Sequence, residues 1–230
     1  MPEFAGRSVS ELSTSTQNYL KSIWTLCEWS DEPVTPSLIA GRAGVTLSSA
    51  SDAMRKLAEQ GLVEYERYGQ LRLTPAGDLL ALAMVRRHRL IETFLVTVLG
   101  YQWDEVHDEA ESLEHAVSDL MIERIDEHLG HPSRDPHGDP IPAADGSIDH
   151  VAAEVLTDLP LGQRARIERI SDDDPELLQF FAAQGVQIGA VVEAREAQPF
   201  SGSRQILLVD SGVTLPLGQA ATDSVWTVPV

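Results

Sequence analysis

The segment HDEAESLEH, residues 107 to 115, places four carboxylates and two imidazoles within nine residues. Side chains of these types either face water as a charged surface or act as oxygen and nitrogen donors to a divalent cation. On a helix of about 3.6 residues per turn, positions 107, 111, 114 and 115 fall within roughly 100° of arc. His107, Glu111, Glu114 and His115 therefore share one face. Leu113, Ala116, Val117 and Leu120 lie beside that stripe, which sets the charged groups at the edge of a buried seam. In the preceding apolar run, His88 and Glu92 stand four residues apart and also share a face. Bonds of about 2.0 to 2.2 Å to a divalent ion then divide the set. His107 and His115, separated by roughly 12 Å of helix rise, do not suit one ion. Glu111, Glu114 and His115 span about 6 Å and can converge on one. His107 can meet His88 and Glu92 at a second. Oxygen and nitrogen donors without a thiolate favour Mn²⁺ or Fe²⁺, although Zn²⁺ would also bind them tightly.

The elements that must position these residues follow from pattern and punctuation. STSTQNYLKSIWTLCEW reads as a capped amphipathic helix, with apolar residues at 19, 20, 23, 24, 26 and 27, and Pro33 ends it. A short helix around PSLIAGRAG turns at Gly44, and a second begins near Thr46 to Ser49 and stops at Gly61. LVEYERY and QLRLT then alternate as two strands around a turn at Tyr68, Gly69 and Gln70. Helix, turn, helix and a two-stranded wing make a winged helix-turn-helix pattern. Residues 75 to 101 form one long helical pattern ended by Gly100, and residues 103 to 129 another ended by Gly130. Two such helices exceed what a winged domain needs, so a dimerisation layer is expected. HPSRDPHGDPIPAADGSIDH reads as a loop leading into a linker. Beyond it, RARIERI, AVVEARE, RQILLVD, VTLPLG and VWTVPV read as short strands of a small β barrel, with PELLQFFAAQG as a helix. The expected class is mainly α with small β elements, in three parts: 8–75, 76–148 and 149–230.

A net charge of −19 over 230 residues is unevenly spread. Residues 1 to 75 hold 7 basic and 9 acidic side chains, residues 76 to 150 hold 5 and 16, and residues 151 to 230 hold 5 and 11. A phosphate-binding surface needs only local basic groups, so the near-neutral first part suits DNA while the middle repels it. No apolar run reaches the roughly 18 residues of a membrane span, and MPEFAGRSVSELS lacks the basic and apolar regions of a signal peptide. A cytoplasmic location is expected. The single cysteine, Cys27, excludes an intrachain disulfide and a thiolate zinc site. Its setting, IWTLCEW, suggests a small buried residue. His128, His131, His137 and His150 sit in or beside polar loops and are expected at the surface; Trp24, Trp29, Trp103 and Trp226 are expected in cores or at element ends.

YLKSIW, a winged helix ending AEQGLV, MVRRHRLIETFL, VHDEAESLEHAVSD and DPHGDPIP, in this order, resemble the diphtheria toxin repressor family of metal-activated transcriptional repressors. The resemblance spans the whole chain and implies an SH3-like, FeoA-like C-terminal domain, a homodimer and double-stranded operator DNA as partner, with no enzyme activity and no small-molecule substrate. It implies a primary site of Glu114, His115, the residue at 111 and the residue before the Tyr-Leu pair, here Asn18. Iron-responsive members carry Cys and Met at those last two positions, whereas manganese-responsive ones carry Glu and commonly Asp. Glu111 with Asn18 therefore resembles the manganese-responsive branch, Asn18 keeping an oxygen donor and losing the charge. Short manganese regulators carry an acid at the position of Lys21, so their paired-metal geometry is not implied. The ancillary site matches His88, Glu92 and His107, completed by an acid of the barrel, for which Asp172 and Asp174 are the candidates. Asp174 equally suits N-capping of the helix starting at Pro175. The implied cofactor is Mn²⁺, with Fe²⁺ and other divalent transition metals as further candidates.

In the second helix of the winged motif, Thr46, Ser48, Ser49 and Ser51 offer hydroxyls and free amides to phosphates and base edges. Arg55 and Lys56 suit phosphates. Asp52 either accepts from a cytosine amine or pairs with Arg55 or Lys56. Arg67, Arg72 and the turn at Gly69 are placed to touch flanking backbone. Two other readings share some of these residues: a metal-dependent hydrolase, for which no nucleophile motif is evident, and a winged-helix regulator of an organic ligand with the acidic stripe merely solvated.

Overall fold

Ser13 accepts the amide of Thr16 and so starts α1 (Thr14–Trp29). The computed structural model describes residues 8–30, 32–65, 69–149, 151–197 and 200–230; Arg67, Tyr68 and His150, singled out above, lie outside them. Thr35 caps α2 (Pro36–Arg42), and Thr46 caps α3 (Leu47–Glu59). Each cap satisfies an amide that the first helical turn leaves without a partner. The wing is β1 (Val63–Tyr65) antiparallel to β2 (Leu71–Leu73), with Val63 opposite Leu73. Leu20, Ile23, Trp24, Ile39, Ala50, Met54, Leu57 and Leu71 close a single core beneath this winged helix.

α4 (Pro75–Phe94) continues into a π-helical turn at Leu95–Leu99, and Gly100 closes it. The one helix expected over 103–129 is two. α5 (Val106–Leu113) stops, a turn follows, and Ser118 caps α6 (Asp119–Leu129) by accepting from Met121. The physical reason lies at the carbonyls of the break. Ser118 is extended, so its amide cannot serve Glu114 as a continuing helix would. The Arg87 guanidinium donates instead to the carbonyls of Glu114 at 3.2 Å and Val117 at 2.8 Å. Leu120, expected beside a buried seam, is 62% exposed on α6, because the new helix starts with its own orientation.

The chain divides into two compact units. The first holds the winged helix, α4 as far as Ile91, Glu111–Gly130 and Pro142–Ile148; the second holds Glu92–Ala110, His131–Ile141 and everything from Asp149. In the second unit, a six-stranded antiparallel sheet has the order β3-β8-β4-β5-β6-β7. Its strands are β3 (Glu154–Val155), β4 (Arg164–Ile170), β5 (Val191–Arg195), β6 (Ser203–Leu208), β7 (Thr214–Gly218) and β8 (Val225–Pro229). Alternate residues such as Ala165, Ile167, Val192, Ile206 and Leu217 enter one core with Leu178 and Phe181 of α7 (Pro175–Gln184). A short α8 (Gln219–Asp223) precedes the last strand. Besides Leu120, two expectations about single residues fail. Cys27 is exposed near the end of α1, beyond the turns that enter the core, and partial desolvation still pushes its thiol pKa up, opposed by Arg72. His137 is fully buried, because the DPHGDP loop folds onto β4 and does not run through solvent.

That loop is held by its own polar atoms. Asp135 Oδ1 accepts from the amides of His137 and Asp139, both at 2.9 Å, and the His137 carbonyl accepts from Ile170 at 2.9 Å. Gly138 has φ +89 and a Cβ there would lie 2.1 Å from the Glu168 carbonyl oxygen. Only glycine meets both conditions. Gly138→Ala is expected to cost roughly 3 kcal/mol or more, from left-handed strain plus displacement of β4. Urea unfolding of the two proteins checks this, and a difference below about 1 kcal/mol would contradict the close packing described.

Candidate metal centres

The run RRHR at 86 to 89 sits on α4 and is wholly engaged, so it is a structural hub and not an exposed basic patch. Arg86 donates to Asp126 at 2.7 Å and to the Pro142 carbonyl at 2.8 Å. Arg87 holds the broken end of α5 and reaches Ser10 and Asp119. Arg89 donates to Glu28 at 2.6 Å and lies over the Trp24 ring at 5.6 Å, fixing the C-terminal half of α1. His88 turns its Nδ1 to Glu114 Oε2 at 2.7 Å.

Around this hub lies the first cluster. Because α5 ends at Leu113, Glu114 and His115 leave the helix in the turn, while Glu111 remains on its last full turn. Glu114 is fully buried. A buried carboxylate is costly unless charge and hydrogen bonds compensate it. Here Lys21 of α1 donates to Glu111 Oε1 at 2.5 Å and to both oxygens of Glu114 at 2.8 Å. His115 has Nδ1 2.6 Å from Gln17 Oε1 and Nε2 3.4 Å from Glu114 Oε1. The Gln17 amide is oriented by its own donors, which reach the carbonyls of Val9 at 2.8 Å and Leu12 at 3.2 Å. Its oxygen must then accept from His115 Nδ1–H, which turns Nε2 towards the carboxylate. Asn18, one residue on, has a buried Oδ1 with no hydrogen-bond partner. Such an oxygen destabilises the fold unless a cation or water meets it. His88, Glu111 and Glu114 bring one donor atom each within 4.8 Å of one another. With the His115 imidazole beside Glu114 and the unsatisfied amide oxygen of Asn18 on α1, these donor types suit a divalent ion. Gln17 was not found from the sequence, where an amphipathic pattern marks it only as a polar position on α1, and Lys21 was singled out as the place of an acid in short manganese regulators, without its contacts to Glu111 and Glu114.

The second cluster belongs to the second unit. Glu92, 1% exposed, lies with Oε1 3.6 Å from His107 Nδ1, and Asp172 Oδ2 lies 2.7 Å from that same nitrogen. Burial lowers the His107 pKa, but hydrogen bonds and charge from Asp172 and Glu92 outweigh it and push the value up to about 11. A proton thus occupies the imidazole between two carboxylates. Asp172 is the acid of the barrel that reaches His107; Asp174 caps α7 by accepting from Glu176 and Leu177. Asp135 and His137 extend the group: with Glu92 they bring one donor atom each within 4.8 Å of one another. His137 Nε2–H donates to the Trp103 carbonyl at 2.8 Å, the two rings stack at 5.9 Å, and its buried Nδ1 lies 3.9 Å from Glu92 Oε2. Desolvation lowers the His137 pKa, yet Glu92, Asp135 and Asp172 raise it overall. Two acids beside a histidine in DPHGDP are the only signal the sequence offered.

The residues considered for DNA contact are separate from both clusters. Ser48, Ser49, Asp52, Arg55 and Lys56 are exposed on α3, Ser51 is half-buried, and Arg72 is exposed on β2. The Thr46 hydroxyl is occupied as the cap and lies 3.0 Å from Ser48 Oγ and 2.9 Å from Ser49 Oγ. Asp52 accepts from Arg55 at 2.8 Å, so the acid is neutralised within its own helix.

Residues 11–71 match the family model described as the iron dependent repressor N-terminal DNA binding domain. Residues 74–143 match its metal binding and dimerisation domain, and residues 155–222 match the FeoA domain. The iron-dependent repressor IdeR of Mycobacterium leprae is 31% identical over 226 residues, which covers 90% of this chain and 95% of that protein. The diphtheria toxin repressor of Corynebacterium glutamicum is 33% identical over 195 residues, covering 80% and 85%. A solved manganese-dependent transcriptional repressor in complex with manganese is 49% identical, covers 94% of this chain and 100% of that one, and superposes with a TM-score of 0.89. A winged helix, a helical layer carrying clustered carboxylates and histidines, and an SH3-like C-terminal domain thus combine in one chain, which belongs to the diphtheria toxin repressor family of metal-dependent transcriptional repressors.

Proposed function

We propose that this chain is a manganese-activated repressor that binds palindromic operator DNA as a homodimer and controls metal-ion homeostasis in the cytoplasm. The observation that carries the reading is the donor set of the first cluster: Glu111, Glu114, His115 Nε2 and the unsatisfied Asn18 Oδ1, with no sulfur. Hard oxygen donors with one imidazole suit Mn²⁺ better than softer ions. The 49% identity to a manganese-dependent repressor supports the same choice. In this reading residues 8–75 read DNA, residues 76–148 dimerise and hold metal, and residues 149–230 form the C-terminal domain. Leu120 and Met121, exposed at 62% and 47% on α6, supply apolar surface for the dimer layer.

Asn18, Glu111, Glu114 and His115 would hold the first ion, with His88 bordering them. Glu92, His107 and Asp172 would hold the second, with Asp135 and His137 beside them. A bound ion supplies two positive charges in the most acidic part of the chain, which lowers its repulsion of DNA. The remaining work is done by α1. Leu20, Ile23 and Trp24 enter the winged-helix core, whereas Gln17 and Lys21 reach the carboxylate cluster and Asn18, between them in sequence, carries the unsatisfied oxygen. Fixing the cluster therefore fixes the heading of α3. The metal-free dimer then samples several spacings of its two reading helices, and filling selects the one that matches the operator, a population shift.

Operator affinity should rise about 5- to 150-fold on adding Mn²⁺, and equal affinities with and without it would dispose of the mechanism. Calorimetry should lose the tight Mn²⁺ site in Glu111→Ala, and Glu111→Cys should raise Fe²⁺ and Zn²⁺ binding relative to Mn²⁺; an unaltered ranking would contradict the assignment of Glu111. Gln17→Leu removes the group that fixes the His115 tautomer, and Mn²⁺ affinity should fall about 10- to 100-fold. An unchanged affinity would make Gln17 a packing residue only.

The second centre carries a pH dependence. The His107 pKa stands above the ordinary 6.5, so its stabilising contribution is complete below about pH 6.5 and is lost as pH rises through about 11. A metal-ligating imidazole is neutral, so filling this centre near neutral pH should release about one proton from His107. Calorimetry in buffers of different ionisation enthalpy measures that release. His107→Gln should release about one proton fewer, and equal release would show that the proton comes from elsewhere.

A further inference from the structure

Lys21 holds the best oxygens of the first centre. Its ammonium lies 2.5 Å from Glu111 Oε1, 2.8 Å from Glu114 Oε1 and Oε2, and 3.3 Å from His88 Nδ1. The lysine side chain is 12% exposed and the Glu114 side chain 0%. These are the same carboxylates assigned above to the ion. An ion bound at about 2.0 to 2.2 Å from those oxygens takes lone pairs that the ammonium now uses, and two cations on the same oxygens repel each other.

We propose that Lys21 is a tethered cation that fills the first centre in the metal-free chain and must withdraw before a divalent ion enters, so that it sets the metal concentration at which the protein responds. The inference rests on the reading of Glu111 and Glu114 as ligands. Three features support it. The ammonium brings one positive charge to two carboxylates, and an ion of charge two in its place brings one more. Lysine presents a compact point charge on a flexible four-carbon stem, which can swing aside as a planar guanidinium engaged by several bonds could not. Finally, Lys21 binds oxygens of both Glu111 and Glu114, so α1 stays tied to the α5 turn without metal, and entry is an exchange of one cation for another. Exchange against one ammonium raises the threshold for every divalent ion by the same factor. Lys21 therefore governs sensitivity, and Glu111 governs ranking.

The full-length protein tests this. Lys21→Met should bind Mn²⁺ at least about tenfold more tightly than the wild type, because the ammonium then no longer competes for the carboxylates. Fe²⁺ and Zn²⁺ should tighten by the same factor. The metal-free variant should melt at a lower temperature, since two carboxylates lose their cation, and added Mn²⁺ should restore it. If Lys21→Met does not fold without metal, Lys21→Gln carries the same expectation in milder form. A second readout uses the wild type. The sequence has two lysines, Lys21 and Lys56, and Lys56 is exposed on α3. An amine-reactive label followed by mass spectrometry should mark Lys56 at all times and Lys21 only after Mn²⁺ is added. Equal Mn²⁺ affinity in variant and wild type, or Lys21 as protected with Mn²⁺ as without it, would overturn the proposal. A wild type with no tight Mn²⁺ site would overturn the reading of the ligands as well, and the two failures are distinguished by that one control.

Discussion

Glu114 has no exposed surface and Glu92 has 1%, and an ionised carboxylate shut away from water must have a positive charge beside it or forfeit several kcal/mol. Much of the surrounding geometry answers that demand. Lys21 comes from α1 to bring charge to Glu114, and His88 of α4 adds a hydrogen bond. His107 carries its proton against Glu92 and Asp172. The carboxylates thereby dictate where α1, α4 and the start of α5 lie, as much as the apolar cores do. An entirely apolar seam would pack as well but would have no use for an ion.

The break after Leu113 is the second constraint, and it depends on the first. Had α5 continued, Glu114 and His115 would have stayed on one helical face with Glu111, and the three would have pointed in nearly the same direction. The turn frees them to converge with groups from α1 and α4. It also exposes carbonyls that a continuous helix would satisfy, and Arg87 meets two of them with one planar guanidinium. Arg87 is itself 4% exposed, so its charge needs partners too, and Ser10 and Asp119 provide them. A turn held by a buried arginine keeps Glu114 and His115 in place, as the proposed site would need of donor atoms before an ion arrives.

The elements were legible in the sequence wherever a local rule governs them. Ser13, Thr35, Thr46 and Asp174 announce helix starts by their hydroxyl or carboxylate, and Gly100 and Gly130 mark ends. The apolar period of α1 and the alternation of β4 likewise follow from short-range pattern. The helix break was not legible, because EHAVS contains no proline or glycine and the decisive partner, Arg87, lies 27 positions from Glu114. Spacing grouped Glu111, Glu114 and His115 correctly but for a helix that stops at Leu113. Gln17, Asp135, the burial of His137 and the contacts of Lys21 escaped for a similar reason. Each acquires its role from a contact across the fold, and a buried histidine in a polar loop looks, in sequence, like any surface histidine.

The two clusters satisfy the same electrostatic demand by different chemistry, and the difference matters for how each would respond to metal. At the first, the substitute cation is an ammonium on a flexible stem, removed by a change of rotamer. At the second, it is a proton on a ring whose nitrogen would itself be the ligand. On the proposed assignment of ligands, metal would compete at one centre against a tethered side chain, at fixed effective concentration, and at the other against the proton activity of the solution. Their order of filling is therefore a function of pH even if their intrinsic affinities are equal. A chain with an alkyl residue at 21 and a carboxamide at 107 would lose both competitors, and the buried carboxylates would then hold any divalent ion they met. Responsiveness within a chosen range of metal concentration requires that the carboxylates already have a cation to lose.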